Sequence, residues 1–356
     1  MRRVLLLGAG KIGSMITEML AGTGEYAVTV ADRDAQALSF LPDSRAEKRT
    51  VEVTDPAAIR GAMKGMDAVL SALPFYLNVR VAEAARATNL HYFDLTEDVE
   101  TTRRVRQIAE GATTSFVPQC GLAPGFVSIA AYDLCRRFDA LRQVRLRVGA
   151  LPVYPTNSLK YNLTWSTDGL INEYCNPCEA IHEGRRRELL ALEGLEHFSL
   201  DGVDYEAFNT SGGLGTLCET LEGKAEDVNY KTVRYPGHCG LIRVIAEELR
   251  LGLRRDLFKE ILESAVPMTI QDVVLVFVSV SGQKGGRLTQ ETYAKKVYGA
   301  EIGGRPWSAI QITTSAGICA MVDLVLSAKL PTRGFVRQED ARLEDFLANR
   351  FGRHYA

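Results

Sequence analysis

A short strand-like run, Arg3–Leu7 (RVLLL), leads directly into Gly8-Ala9-Gly10-Lys11-Ile12-Gly13, and an amphipathic stretch continues through Leu20. A GxGxxG motif alone is weak. Between a strand and a helix it restricts the chain to a dinucleotide-binding turn. Gly8 permits the tight turn, Gly10 lets the backbone approach a pyrophosphate, and Gly13 allows close helix–strand packing. The helix opening at Lys11 and Ile12 presents free N–H groups and a favourable dipole to the phosphates. Asp32 follows Gly13 by 19 residues and ends a second apolar run, Ala27–Ala31. A carboxylate there accepts hydrogen bonds from ribose hydroxyls and repels a 2′-phosphate, so the expected cofactor is NAD rather than NADP. Arg33 comes next and could soften that preference by pairing with a phosphate.

Further apolar runs follow at Thr50–Val53, Ala68–Ala72, His91–Asp94 and Ser115–Gln119. Helix-compatible segments separate them, including Pro56–Met63, Val79–Ala87 and Val99–Ala109. Strands alternating with helices imply βαβ units and a parallel sheet buried on both faces. The expectation is α/β: a doubly wound Rossmann domain of six strands over residues 1–125. Beyond residue 140 the pattern changes. Leu141–Gly149, Lys160–Trp165, Asn229–Tyr235 and Asp272–Ser281 read as longer strands, with helices at Gly240–Leu251 and Asp256–Ser264. This predicts an α+β domain on a largely antiparallel sheet over residues 126–306. Ala309–Leu326 reads as one long apolar helix, and residues 307–356 are expected to pack back on the first domain.

Composition narrows the function classes. The 356 residues carry 42 Lys and Arg against 44 Asp and Glu, a formal net charge of −2, with no long basic run. No nucleic-acid partner is expected. Runs such as Val273–Val278 fall far short of the ~20 apolar residues that span a bilayer, and Met1-Arg2-Arg3 does not open a signal peptide, so no membrane role is expected either. Seven dispersed cysteines do not form a disulfide framework. The expectation is a cytoplasmic two-domain protein.

Three segments leave strand ends on the carboxyl edge, where open α/β sheets bind ligands. They are Ser71-Ala72-Leu73-Pro74, Asp94-Leu95-Thr96, and Gln119-Cys120-Gly121-Leu122-Ala123-Pro124-Gly125. Asp55, in Val53-Thr54-Asp55, would lie near an adenine.

The Gly8–Gly13 turn, Ser71–Pro74 (SALP), Gly121–Gly125 (GLAPG) and Arg234–His238 (RYPGH) resemble the saccharopine dehydrogenase-like family. Leu159–Tyr174 (LKYNLTWSTDGLINEY), Gly213–Thr220 (GLGTLCET) and Gly334–Glu339 extend the likeness over nearly the whole chain. Within the family, the YNLTWS and RYPGH segments are most similar to the lysine 6-dehydrogenases. The resemblance implies a Rossmann domain, a substrate-binding α+β domain and a homodimer. It implies NAD-dependent oxidative deamination of the ε-amino group of L-lysine to allysine, which cyclises to Δ1-piperideine-6-carboxylate. Two alternatives stand beside it: reductive joining of an amine to a semialdehyde, as in saccharopine or carboxynorspermidine formation, and a non-catalytic NAD-binding sensor.

Such a reaction needs a deprotonated ε-amine, a near-attack geometry at Cε–H, and activated water to hydrolyse the imine. His238, in a Pro-Gly turn beside Arg234 and Tyr235, is the candidate general base. Asp94 is a second catalytic candidate, at the substrate ammonium or the nicotinamide ribose. A bidentate cation suits the substrate carboxylate, and Arg234 is chosen, with Lys160 and Arg243 behind it. Tyr161, Thr164, Trp165 and Thr167 would supply hydroxyls and an apolar wall. If Lys160–Trp165 is a strand, Thr164 faces away from Trp165 and Thr167. Thr210 and Ser211, in Asn209–Gly212, belong to a candidate substrate-closing loop. Cys175-Asn176-Pro177-Cys178 lacks both a thioredoxin-like context and a second cysteine pair, and Cys120 reads as a small buried residue. No metal site is expected.

Overall fold

The computed structural model describes residues 1–42 and 45–356, and the chain divides into two compact units. Unit 1 comprises Met1–Phe126, Ile302–Arg305 and Gln311–Ala356; unit 2 comprises Val127–Glu301 and Pro306–Ile310.

Unit 1 is built on β1 (Arg2–Leu7), β2 (Tyr26–Asp32), β3 (Glu47–Thr50), β4 (Ala68–Ser71), β5 (His91–Asp94) and β6 (Ser115–Val117). Between them run α1 (Lys11–Ala21), α2 (Ala35–Ser39), α3 (Pro56–Met63), α4 (Phe75–Thr88) and α5 (Val99–Ala109). All strands pair in parallel in the order β6-β5-β4-β1-β2-β3, and Gly334–Phe335 adds a seventh strand beside β6. The order reverses between β1 and β4, so the first glycine turn opens at the topological switch point. The expected doubly wound α/β sheet is present. Val4–Leu7 and Ala68–Leu70 are inaccessible to solvent, as strands covered on both faces must be. Local chemistry fixes the helix starts. Asp55 caps α3 by accepting Ala57 and Ala58 N–H, with Pro56 in the first turn, and Asp98 caps α5 through Thr101 N–H at 2.7 Å.

Unit 2 opens with α6 (Phe126–Cys135), whose first residue belongs to unit 1, and continues into β7 (Ala140–Pro152) and α7 (Thr167–Cys175). Four strands follow: β8 (Cys178–His182), β9 (Arg185–Leu189), β10 (Glu196–Leu200) and β11 (Val203–Asn209). Then come α8 (Leu217–Leu221), β12 (Ala225–Arg234), α9 (His238–Arg243), α10 (Arg255–Ala265), β13 (Asp272–Lys284) and β14 (Arg287–Tyr298). The sheet runs β10-β11-β12-β7-β13-β14, with β8 and β9 attached to β12. Only β12–β7 is parallel, so the mixed, largely antiparallel α+β sheet also matches the expectation.

The third strand covers Glu47–Thr50 rather than the expected Thr50–Val53, and one expected strand is absent. Lys160–Trp165 makes a single bridge, Leu163 to Met268, and is otherwise irregular. Asn157 governs its backbone instead, accepting Tyr161 N–H at 3.4 Å and donating to Tyr161 O at 2.6 Å. Ser166 then starts α7 by accepting Gly169 N–H at 3.2 Å, which puts Thr167 on a helix. The strand-face rule therefore does not apply to Thr164, Trp165 and Thr167.

Ala309–Leu326 is a helix over the expected span. It is long and apolar enough to cross a membrane, but 78% of it is buried inside the protein, as in a core helix.

Candidate functional site

The glycine turn of unit 1 shows which glycines the protein itself requires. Gly8 has φ +103°, and a Cβ there would lie 2.8 Å from Ala72 O. A Cβ on Gly13 would lie 1.9 Å from Gly8 O, so α1 can approach β1 only without a side chain. Gly10 differs: a Cβ there meets nothing within 4 Å. The protein leaves that space open at the start of α1, where Gly10 makes no side-chain cap. Open space over uncapped helix N–H groups suits a pyrophosphate, and Lys11 and Ile12 form the first turn there. Asp32 Oδ2 accepts Ala9 N–H at 2.7 Å and Oδ1 accepts Asp34 N–H at 2.9 Å, which locks the end of β2 to the glycine turn. Arg33 beside it is exposed. These residues fit a dinucleotide.

Around the same edge, Ala72 N–H bonds Leu7 O, Leu73 packs partly into the core, and Pro74 precedes α4. Asp55 uses Oδ1 as a helix cap, so its first task is local. In the GLAPG loop Gly121 bridges Gly125, which has φ +136°; Ala123 is half-buried and Pro124 buried. Asp94 has no exposed surface. It accepts Tyr92 Oη–H at 2.6 Å and the N–H groups of Thr96 and Gln119, each at 2.9 Å. Burial raises its pKa, against the pull of those donors. Within unit 1 Asp94 therefore clasps β5 to the segment after β6. Gln338 donates to Pro118 O at 2.8 Å and to Cys120 Sγ at 3.3 Å, and burial pushes the Cys120 thiol well above its ordinary value. Cys120 is the buried residue expected.

Unit 2 gathers a second constellation at the end of β12. Arg234 is 2% exposed. Its Nε donates to Tyr174 Oη at 3.2 Å, and one terminal nitrogen donates to Thr232 Oγ1 and Val233 O, each at 2.9 Å. The guanidinium carbon stands 4.8 Å from the Tyr161 ring centre. Arg234 makes no ion pair among the described residues. Arg147, another buried arginine of unit 2, is instead paired with Glu196. Burial opposes the Arg234 charge, but Tyr174, Tyr161 and Glu173 favour it and the net shift is upward.

His238 lies beside this arginine and is 1% exposed. Nε2 is 2.9 Å from Tyr174 Oη, and Nδ1 is 2.8 Å from Leu159 O. A carbonyl only accepts, so Nδ1 carries the hydrogen and Nε2 accepts from Tyr174. Burial and the Arg234 charge push the histidine down to about 3, against the Leu159 bond. Both ring nitrogens are engaged and the proton affinity is far below the working range of a base. In this structure His238 belongs to the arginine's hydrogen-bond chain rather than standing free as a base.

Other expected substrate residues divide. Tyr161, Thr164 and Thr210 are buried with hydroxyls that lack a hydrogen-bond partner of normal geometry, and so is the carbonyl oxygen of Asn162. Thr164 and Trp165 are the polar neighbours of the Tyr161 hydroxyl. Tyr235 is not with Arg234. Strand alternation turns it the other way, stacked on Tyr205 at 5.8 Å and donating to Pro152 O at 2.9 Å. The candidate substrate-closing loop at Asn209–Gly212 is packed and hydrogen-bonded in this structure. Thr210 is buried, Ser211 Oγ donates to Pro177 O at 2.8 Å, and Ser211 N–H bonds Glu173 O. Lys160 is exposed and bonds Pro236 O, while Arg243 pairs with Glu193 and Glu247. No metal-binding cluster occurs among the described residues.

Two residues escaped the sequence reading. Tyr174 lay inside a quoted segment without a role. Glu206, 2% exposed, holds the RYPGH turn by accepting Gly237 N–H at 2.8 Å and Cys239 N–H at 2.6 Å. Its partners are some thirty residues away on another element, and no local signal announces such a contact.

The chain is 24% identical over 280 residues to "Saccharopine dehydrogenase [NADP(+), L-glutamate-forming]" of Saccharomyces cerevisiae, covering 74% of this chain and 61% of that one. It is 20% identical over 321 residues to "Alpha-aminoadipic semialdehyde synthase, mitochondrial" of Rattus norvegicus, covering 84% of this chain and 33% of the relative. The chain thus spans 61% and 33% of the length of these two relatives. The solved structure of apo saccharopine dehydrogenase (L-Glu forming) from Saccharomyces cerevisiae shares the fold with a TM-score of 0.77 at 17% identity, covering 100% of this chain and 96% of that one. The family model for the saccharopine dehydrogenase NADP binding domain matches residues 4–117, and the model for the saccharopine dehydrogenase C-terminal domain matches residues 121–351. The chain belongs to the saccharopine dehydrogenase family.

Proposed function

We propose that the protein is an NAD-dependent oxidoreductase that removes the ε-amino group of L-lysine, giving allysine and ammonia, with allysine closing to the cyclic imine. The observation that carries this reading is Arg234, a buried guanidinium in no ion pair among the described residues, its charge favoured by Glu173 but not contacted by it. A buried charge is costly unless it is paired, and a substrate carboxylate pairs it. The Tyr161 hydroxyl oxygen beside the guanidinium and the neighbouring Thr164 hydroxyl suit an amino acid's α-ammonium, which needs acceptors.

A bound nicotinamide dinucleotide supplies the hydride acceptor, and Asp32 supports NAD over NADP through its charge. Arg234 holds the carboxylate end of the substrate. The reacting nitrogen of lysine lies five bonds from its Cα, at the far end of the side chain from the carboxylate. A base bonded to the arginine's own partner is therefore at the wrong end, a second reason to remove His238 from proton transfer. The ε-amine would enter already deprotonated, and turnover would rise with pH towards the amine's own pKa of ~10.4.

The names of the relatives point to saccharopine and aminoadipate semialdehyde. Saccharopine carries three carboxylates and calls for more than one cation. Among the described residues of this constellation Arg234 is the one buried cation outside an ion pair, and that favours a substrate with one carboxylate. Arg234→Met tests the reading. It should raise the KM for L-lysine by ~100-fold, within the range for removing one partner of a buried charge pair. A change below threefold would detach Arg234 from the substrate.

A further inference from the structure

We infer that Tyr174 and His238 are positioning residues that set the direction of the Arg234 hydrogen-bond chain and so aim the guanidinium at the substrate's carboxylate. The inference rests on the reading of Arg234 as the carboxylate anchor and deepens it.

The polarity of the chain follows from one backbone atom. Leu159 O can only accept, so His238 Nδ1 donates to it at 2.8 Å. Nε2 is then an acceptor, and the Tyr174 hydroxyl donates to it at 2.9 Å. The Tyr174 oxygen is left with lone pairs for Arg234 Nε–H, 3.2 Å away. Reversing any one link would set two donors or two acceptors against each other. Aromatic walls enclose the chain: Tyr161 lies 5.3 Å and Phe208 6.3 Å from the His238 ring. Arg234 is the charged side chain acting on the imidazole from β12, while Glu206 of β11 bonds the backbone of Gly237 and Cys239 on either side of it. Charge repulsion and burial both favour the neutral ring that the chain requires.

The Arg234 guanidinium has a long, flexible stem, and a defined aim requires restraint on the head group. Tyr174 supplies that restraint at Nε, and Thr232 and Val233 supply it at one terminal nitrogen. A carboxylate pair is bidentate only if the fork is held in plane.

Steady-state kinetics with L-lysine on wild type, Tyr174→Phe, His238→Asn and His238→Gln test the inference, alongside 15N spectra of the histidines. A glutamine places an oxygen near the Nε2 position, whereas an asparagine reaches only the Nδ1 position. Tyr174→Phe and His238→Asn should raise KM by ~10-fold, the scale of one hydrogen bond to a charged group. They should leave kcat within about twofold, and His238→Gln should recover most of the lost affinity. The His238 ring should stay neutral with hydrogen on Nδ1 from pH 5 to 9. An unchanged KM with a depressed kcat in Tyr174→Phe, or titration of His238 in that window, would overturn the inference. If wild type leaves lysine unoxidised while the ring is locked as described, the lysine reading falls and the chain polarity stands.

Discussion

Asp32 accepts the Ala9 N–H at 2.7 Å, which makes the residue expected to read the ribose also a strut of the glycine turn. Removing the side chain would change both functions at once. Asp32→Asn separates them, because an amide oxygen can still accept the Ala9 N–H while the charge is gone. The substitution should weaken NAD by about tenfold, the scale of losing hydrogen bonds to a charged acceptor. It should also tighten NADP and leave the unfolding midpoint nearly unchanged. Binding titrations with both cofactors, beside a thermal melt, check it. An unmoved NAD-to-NADP ratio would give the discrimination to Arg33 and its loop.

Gly10 and Gly13 have different tasks in the fingerprint, and the space around them differs accordingly. Gly10→Ala should fold with unchanged stability, since its Cβ meets no protein atom within 4 Å, yet lose dinucleotide affinity. Gly13→Ala drives a Cβ to 1.9 Å from a backbone oxygen and should destabilise by about 3 kcal/mol or more, at the upper end of overpacking costs. Urea unfolding and NAD titration on the two variants should give opposite patterns.

The sealed histidine has a stability signature. In the unfolded chain it takes a proton near pH 6.5, and in the native protein only near about 3. Between these values unfolding takes up a proton, so stability falls as the pH falls. From pH 7 to pH 4 the loss due to His238 is on the order of 3 kcal/mol, at 1.36 kcal/mol per pH unit. His238→Gln should lose that much less than wild type over the same interval in urea titrations. Parallel losses in the two proteins would show that the ring takes up its proton without unfolding.

Much of unit 1 was legible in the sequence because local rules and tertiary structure agree there. Val99–Ala109 and Pro56–Met63 are helices over the spans that periodicity and capping imply, and His91–Asp94 is a strand over the span its apolar run implies. Unit 2 was less legible where side chains, not periodicity, set the backbone. Lys160–Trp165 has a strand-like composition, yet Asn157 and Ser166 bend it into a loop and a helix start. The chemistry of His238 could not be read from its neighbours either. Arg234 and Tyr235 adjoin in sequence, but one faces His238 and the other stacks on Tyr205. Tyr174, sixty residues away, is what joins Arg234 to His238.

The proposed activity is tested most directly by following NADH formation from the purified protein with NAD and, in turn, L-lysine, ornithine, glutamate and saccharopine. The expected result is turnover with L-lysine, a cyclic imine as product, and little or none with saccharopine. Turnover with saccharopine and none with lysine would contradict the reading of Arg234 as the anchor for a substrate with one carboxylate.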